Sequence, residues 1–233
     1  MAGDCIRQIP RWGFVLSLAA TILMMAAASA PSLFYPQIAE RLGLIPVATT
    51  LVFAVYTFTL LAALLYLGPL SDHVGRRPVV AAGSLALALS VAMFWFAGSL
   101  AALLVARALQ GLAAGLLIPA LSAMMIDFES PSHRNIAALW NTIGPMIGLG
   151  AGALGAALLL DLTSEPTTAV FGSLVLAFLI VATVVWSTPE LVPKTQIRRG
   201  DLRPRFTVPP HLRPTDSWLA RQTAGSPRKW IRP

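Results

Sequence analysis

No charged residue interrupts the chain between Trp12 and Tyr35, and further uncharged runs of similar length follow. A helix needs about 20 apolar residues to cross a bilayer. In lipid, every backbone N–H and C=O must be paired within the segment or within a closed barrel. Barrel strands alternate apolar and polar residues, whereas these runs are continuously apolar. They predict helices near 12–35, 47–67, 78–97, 100–125, 135–160 and 168–187. Gly98-Ser99 divides the third from the fourth, because Arg107 is the only charge between Pro78 and Ile126. The fold class is all-α: a polytopic membrane bundle of six transmembrane helices over residues 1–187. Of the 233 residues, 56% are hydrophobic and 12% charged, about half the charge of a soluble domain.

The placement of charge sets the orientation. With the N-terminus inside, the inner segments hold Arg7, Arg11, Arg76, Arg77, Arg134 and the ten Lys and Arg residues beyond position 190, while the outer loops hold only Arg41. Cytoplasmic loops carry the excess of Lys and Arg, so both termini are expected in the cytoplasm and the chain in the cell (inner) membrane. Residues 188–233 contain eight prolines and no apolar run, which reads as a disordered, basic cytoplasmic tail. No folded basic module accompanies it, so nucleic acid is not expected as a partner. The first run, with Arg7 and Arg11 before it and Ala28-Ser29-Ala30 near its end, also resembles a secretory signal. Its length and the helices that follow favour a span. A single cysteine, Cys5, leaves no internal disulfide framework.

The most specific motif lies between the second and third runs. Residues 68–78 read Gly-Pro-Leu-Ser-Asp-His-Val-Gly-Arg-Arg-Pro. Gly68 and Gly75 allow a sharp reversal, Asp72 and Arg76 are spaced to pair, and Arg77 adds inside charge. A plain positive loop needs the arginines but neither the glycines nor Asp72. Gly68, Leu70, Ser71, Asp72, Gly75, Arg76 and Arg77 resemble the signature loop between helices two and three of the major facilitator superfamily of transporters. That resemblance implies a charge cluster of Asp72, Arg76 and Asp127, the last closing helix four. The cluster would latch two six-helix halves in an outward-facing state. The alternative is that Asp127 and Glu129 are solvated helix-end residues.

Arg107 is the only charge well inside the hydrophobic band. An intramembrane Arg costs a few kcal/mol even on the mildest scale and marks a functional site by default. Arg107, Gln110, Gly111 and Gly115 resemble the family's Arg-x-x-Gln-Gly motif in helix four, which implies a role in proton transfer or coupling. The alternative is an Arg that snorkels to the outer headgroups. In helix five, Gly144, Gly148 and Gly152 recur every four residues, with Gly155 and Ala156 extending the stripe. Such a stripe lets another helix approach closely. The region resembles the glycine-rich motif of drug–proton antiporters but departs from it. Pro145 comes early, Ala153 stands at the expected Pro, and Gly155-Ala156 replaces Gly-Gly.

No Asp or Glu lies deep in a helix, and no nucleotide loop, metal-ligand cluster or nucleophile triad is present, so no enzyme is expected. His73, His133 and His211 are scattered. The resemblance implies the N-terminal half of a facilitator, with three-plus-three inverted repeats, moving a small-molecule substrate by proton-coupled efflux. It needs no cofactor beyond the proton gradient. Its partners are the lipid bilayer and either a second half-transporter or a second copy. Where a seventh helix should begin, the chain reads Arg213-Pro-Thr-Asp-Ser-Trp-Leu-Ala-Arg, so a truncated or frame-disrupted transporter is expected. The rival expectation is a non-transporting membrane anchor, or inactive fragment, with a tail that binds lipid or a partner.

Overall fold

The computed structural model describes residues 2–68, 70–130 and 135–189, with side chains from Trp12 onward. Apart from Thr188 and Pro189, the tail expected over residues 188–233 lies outside the described residues, as does Pro69. The first span is not one helix. α1 (Ala2–Ser29) passes into a 3-10 segment (Ala30–Phe34) and then into α2 (Tyr35–Leu42). Pro31 and Pro36 have no N–H to give, so the α ladder loses a rung at each. The apolar run suggested an end near residue 35, but α2 carries the span to Leu42. Gly43 stops it at φ 61°. The Gly43 and Leu44 N–H groups bond the carbonyls of Glu40 and Ala39 at 3.2 and 2.8 Å, a left-handed glycine closure.

α3 (Pro46–Leu67) opens with a proline in its first turn, where the missing donor does no harm. A short α4 (Leu70–Val74) precedes α5 (Arg76–Trp95). α6 (Leu100–Asp127) is capped by Ser99, whose hydroxyl accepts from the Ala102 N–H at 3.2 Å. α7 (Ile136–Leu162) and α8 (Pro166–Val184) complete the bundle, and α8 runs on through a 3-10 turn to Ser187. Six stretches of the described residues are long and apolar enough to cross a membrane.

α3 and α5 both lie against α6, α1 lies against α7, and α5 lies against α8. The second span therefore meets the fourth as the fifth meets the first, and the third meets the sixth. Two three-helix repeats related by an axis in the membrane plane produce this pairing.

Both related crossings are close. At α6 against α3, a Cβ on Gly111 would stand 2.5 Å from the Tyr56 carbonyl oxygen, and one on Gly115 2.8 Å from that of Leu60. At α7 against α1, a Cβ on Gly148 would stand 2.5 Å from the Ile22 carbonyl oxygen, and one on Gly144 3.1 Å from Leu18. Gly152 meets the α1 backbone at Ala26, and Ala156 is buried. Gly155 does not extend the stripe: a Cβ there would meet nothing within 4 Å. Three residues past Gly152 the helix has turned about 300°, which carries Gly155 off the face toward α1.

The core gathers among α1, α5, α6 and α8. Phe171 lies 5.4 Å from Phe34 and 6.4 Å from Phe94 between ring centroids, and Leu87, Leu103, Leu117 and Phe178 are buried in the same core. α3 and α7 are the least covered, with 11% and 22% of their spanning windows buried against 39% or more elsewhere. Their open faces are apolar, with Phe58, Leu61 and Leu65 on α3 and Met146, Leu154 and Leu158 on α7.

Candidate functional site

Two polar clusters interrupt the apolar bundle. The first assembles at the end of α6. Gly75 sits at φ 105°, a conformation closed to most side chains, and turns the chain from α4 into α5. Arg76 is thereby brought under the end of α6. Its Nε pairs with Asp127 Oδ2, its Nη2 donates to Asp127 Oδ1 at 3.4 Å, and its Nη1 lies 3.5 Å from Asp72 Oδ1. Asp127 is the last residue of α6, where the helix dipole disfavours an anion, and Arg76 offsets that charge. Asp72 is 62% exposed, so its share of the cluster is worth less than about 1 kcal/mol. The Arg76–Asp127 pair, which joins two spans and is mostly shielded from solvent, holds the cluster together.

The glycines of this loop do different jobs. Only Gly75 adopts a left-handed conformation. Gly68 has φ −49° and continues the turn of α3, so it does not supply the expected reversal. A Cβ there would stand 2.5 Å from the Leu64 carbonyl oxygen, so its small size gives clearance. Leu70 opens α4 and packs against the core. Arg77 turns away from the cluster: its Nη2 donates to the Trp186 carbonyl oxygen and its guanidinium lies 5.8 Å from the Trp186 ring centre. Glu129 accepts from the Ala137 N–H at 2.9 Å and so caps the first turn of α7.

The second cluster surrounds Arg107, which is 2% exposed and does not snorkel. It stands 20 positions before Asp127 on α6, about 30 Å along the axis, so the two clusters lie toward opposite faces of the membrane. Arg107 Nε donates to the Tyr35 hydroxyl and Nη1 to Gln110 Oε1, both at 2.6 Å. Gln110 Nε2 donates in turn to the Ala27 carbonyl oxygen at 3.0 Å. The guanidinium carbon lies 4.8 Å from the ring centre of Phe94, 5.3 Å from Tyr35, 5.6 Å from Phe53 and 5.7 Å from Tyr56. Attraction by an aromatic face at this range is worth about 0.5–2 kcal/mol, which offsets part of the few kcal/mol that a cation costs there. Among the described residues, Nη2 is buried with no hydrogen-bond partner.

Of the four residues expected to act together on α6, Arg107 and Gln110 form the polar network, whereas Gly111 and Gly115 bring α3 close. The sequence reading missed Tyr35, the Ala27 carbonyl, and the cage of Phe53, Tyr56 and Phe94. One signal was available. Pro31 deprives Ala27, four residues earlier, of its helical donor, so a buried donor had to be found elsewhere. Among the described residues there is no group of three or more His, Cys, Asp or Glu able to hold a metal ion.

Residues 16–228 match the family model described as Major Facilitator Superfamily. The chain is 32% identical over 148 residues to the puromycin resistance protein pur8 of Streptomyces alboniger, covering 61% of this chain and 29% of that protein. It is 34% identical over 149 residues to the multidrug efflux pump LfrA of Mycolicibacterium smegmatis, covering 59% and 29%. To the multidrug resistance protein MdtL of Shewanella oneidensis it is 31% identical over 123 residues, covering 48% and 31%. It thus spans less than a third of the length of these curated relatives. Its fold matches the crystal structure of a peptide transporter, POT, with a TM-score of 0.58 at 18% identity, over 91% of this chain and 42% of that one. A family match over most of its length, and six apolar helices paired as two inverted triplets, settle the assignment: the chain belongs to the major facilitator superfamily.

Proposed function

We infer that these six helices form the first half of a secondary transporter that exports a small molecule at the expense of a proton gradient. The observation that carries the reading is the assembly of Asp72, Arg76 and Asp127 from two spans at the end of α6. In this role the cluster is a latch. The Arg76–Asp127 pair fixes the loop after α3 against α6, and Asp72, the exposed member, is free to meet the positive end of a helix in a second half. Gly68, Leu70, Gly75 and Arg77 shape that loop. Arg107 couples the proton to the cycle by holding a fixed charge inside the band, and Gln110 orients it. The second half lies against α3 and α7, whose apolar faces are the least covered. It comes either from another six-helix segment or from a second copy. Both termini face the cytoplasm, on the side of the fifteen inner Lys and Arg residues.

The relatives' names point to the substrates to try first, puromycin and a panel of amphipathic drugs. Cells producing the chain, alone and with a second six-helix half, are scored for drug retention and survival. Asp72→Asn and Arg107→Ala are expected to abolish any protection, while removal of residues 188–233 preserves it. The opposite pattern would sink the transport reading and favour a membrane anchor acting through its basic tail.

A further inference from the structure

We propose that the break in the first span is a hinge, and that Gln110 and Tyr35 are the positioning residues through which α6 holds it closed. The observations lie on both sides of the break. On the α1 side, the Ala27 carbonyl would bond the N–H four residues on, but that residue is Pro31. Gln110 Nε2 fills the place at 3.0 Å. On the α2 side, Tyr35, the first residue of that helix, receives Arg107 Nε at 2.6 Å. Gln110 and Arg107 are joined at 2.6 Å. One unit on α6 thus straddles the 3-10 segment Ala30–Phe34 and grips the chain before and after it. All three hydrogen bonds are buried, so no water competes for them.

The outer piece also has room to move. A cavity of about 130 Å³ lies between it and α5 and α8 beyond the Phe34–Phe171 contact, lined by Gln37 and Arg41 on one side and Phe94 and Trp95 on the other. Its far end is tethered where Arg41 Nη2 donates to the Ala97 carbonyl oxygen at 2.7 Å, and Ile38 and Leu42 pack against the core. Release of the α6 grip lets α2 swing into the cavity about the two prolines while α1 stays against α7. The hinge deepens the transport reading by naming the piece that moves within this half. Its test reads distances, so it can fail while transport stands.

The test uses the full chain in lipid nanodiscs, with Cys5→Ser and spin labels on one engineered pair at a time. Glu40→Cys with Glu165→Cys reports the outer piece, and Val15→Cys with Leu139→Cys reports the inner helices. The otherwise unaltered chain should give one narrow distance distribution for each pair. Gln110→Met and Tyr35→Phe should each broaden or split the outer distribution and leave the inner one unchanged. Pro31→Ala restores a donor for Ala27, so adding Gln110→Met to it should produce no further broadening. If Gln110→Met alone does not accumulate as folded chain, recovery of folded chain in the Pro31→Ala background supports the hinge, and failure there overturns it. An outer distribution indifferent to Gln110→Met and Tyr35→Phe would mean a rigid kink set by the prolines. Equal broadening of both pairs would mean general loosening. Either result overturns the proposal.

Discussion

Arg107 shows how a cation is tolerated in a band that should expel it. Its charge is spread over a delocalised plane, which meets two oxygen acceptors and four ring faces at once. Lysine would keep the charge and lose the fork. Arg107→Lys is therefore expected to strip Tyr35 or Gln110 of its donor and to lower stability by about 1–3 kcal/mol, read as earlier unfolding of the purified chain in detergent. Gly75 makes a different demand. At φ 105° it holds a conformation that costs another residue about 1–3 kcal/mol. Gly75→Ala should lose about that much stability, whereas Gly43→Ala, at φ 61° and with open space around it, should lose nearer 1 kcal/mol. The same unfolding measurement compares them. Arg76 and Asp127 are separable by exchange. Asp127→Arg alone sets two cations together and should destabilise the chain, and Arg76→Asp in the same chain should recover part of the loss.

Among the elements, the break at Gly98-Ser99 was read from the sequence, and the structure places it between α5 and α6. Pro46 and Pro166 at first turns and Gly43 after α2 are local signals that went unread, and the structure uses each of them locally. The first span was legible only in part. Pro31 and Pro36 are visible in the chain, but the apolar run around them hides the change from α to 3-10 and back. Nor does any local pattern say that Tyr35 meets a residue 72 positions away. The α7 stripe was read almost fully, because four-residue spacing is a helical fact. Gly155 was misplaced because a three-residue step was taken as part of the same face. The stripe yields a paired prediction. Gly148→Leu should cost about 1–3 kcal/mol through overpacking against Ile22. Gly150→Leu, with nothing within 4 Å, should stay within about 0.5 kcal/mol. Thermal unfolding in one detergent checks both.

For the whole molecule, the inverted pairing of spans was implied by family resemblance and is carried by the packing of α3, α5, α7 and α8 around α1 and α6. The residues that form the pairing are unevenly shared. Gly111 and Gly115 at one crossing, and Gly144, Gly148 and Gly152 at the other, all belong to the second triplet of helices. The first triplet brings Tyr56, Leu60, Leu18, Ile22 and Ala26 to meet them. The two triplets are thus complementary and not interchangeable, like a bolt and its socket. A bundle made of two first triplets would drive side chain into side chain at both crossings. One made of two second triplets would leave a void at both. A chain with this division of bulk can be related to its own duplication in shape while having no freedom to repeat either part in sequence.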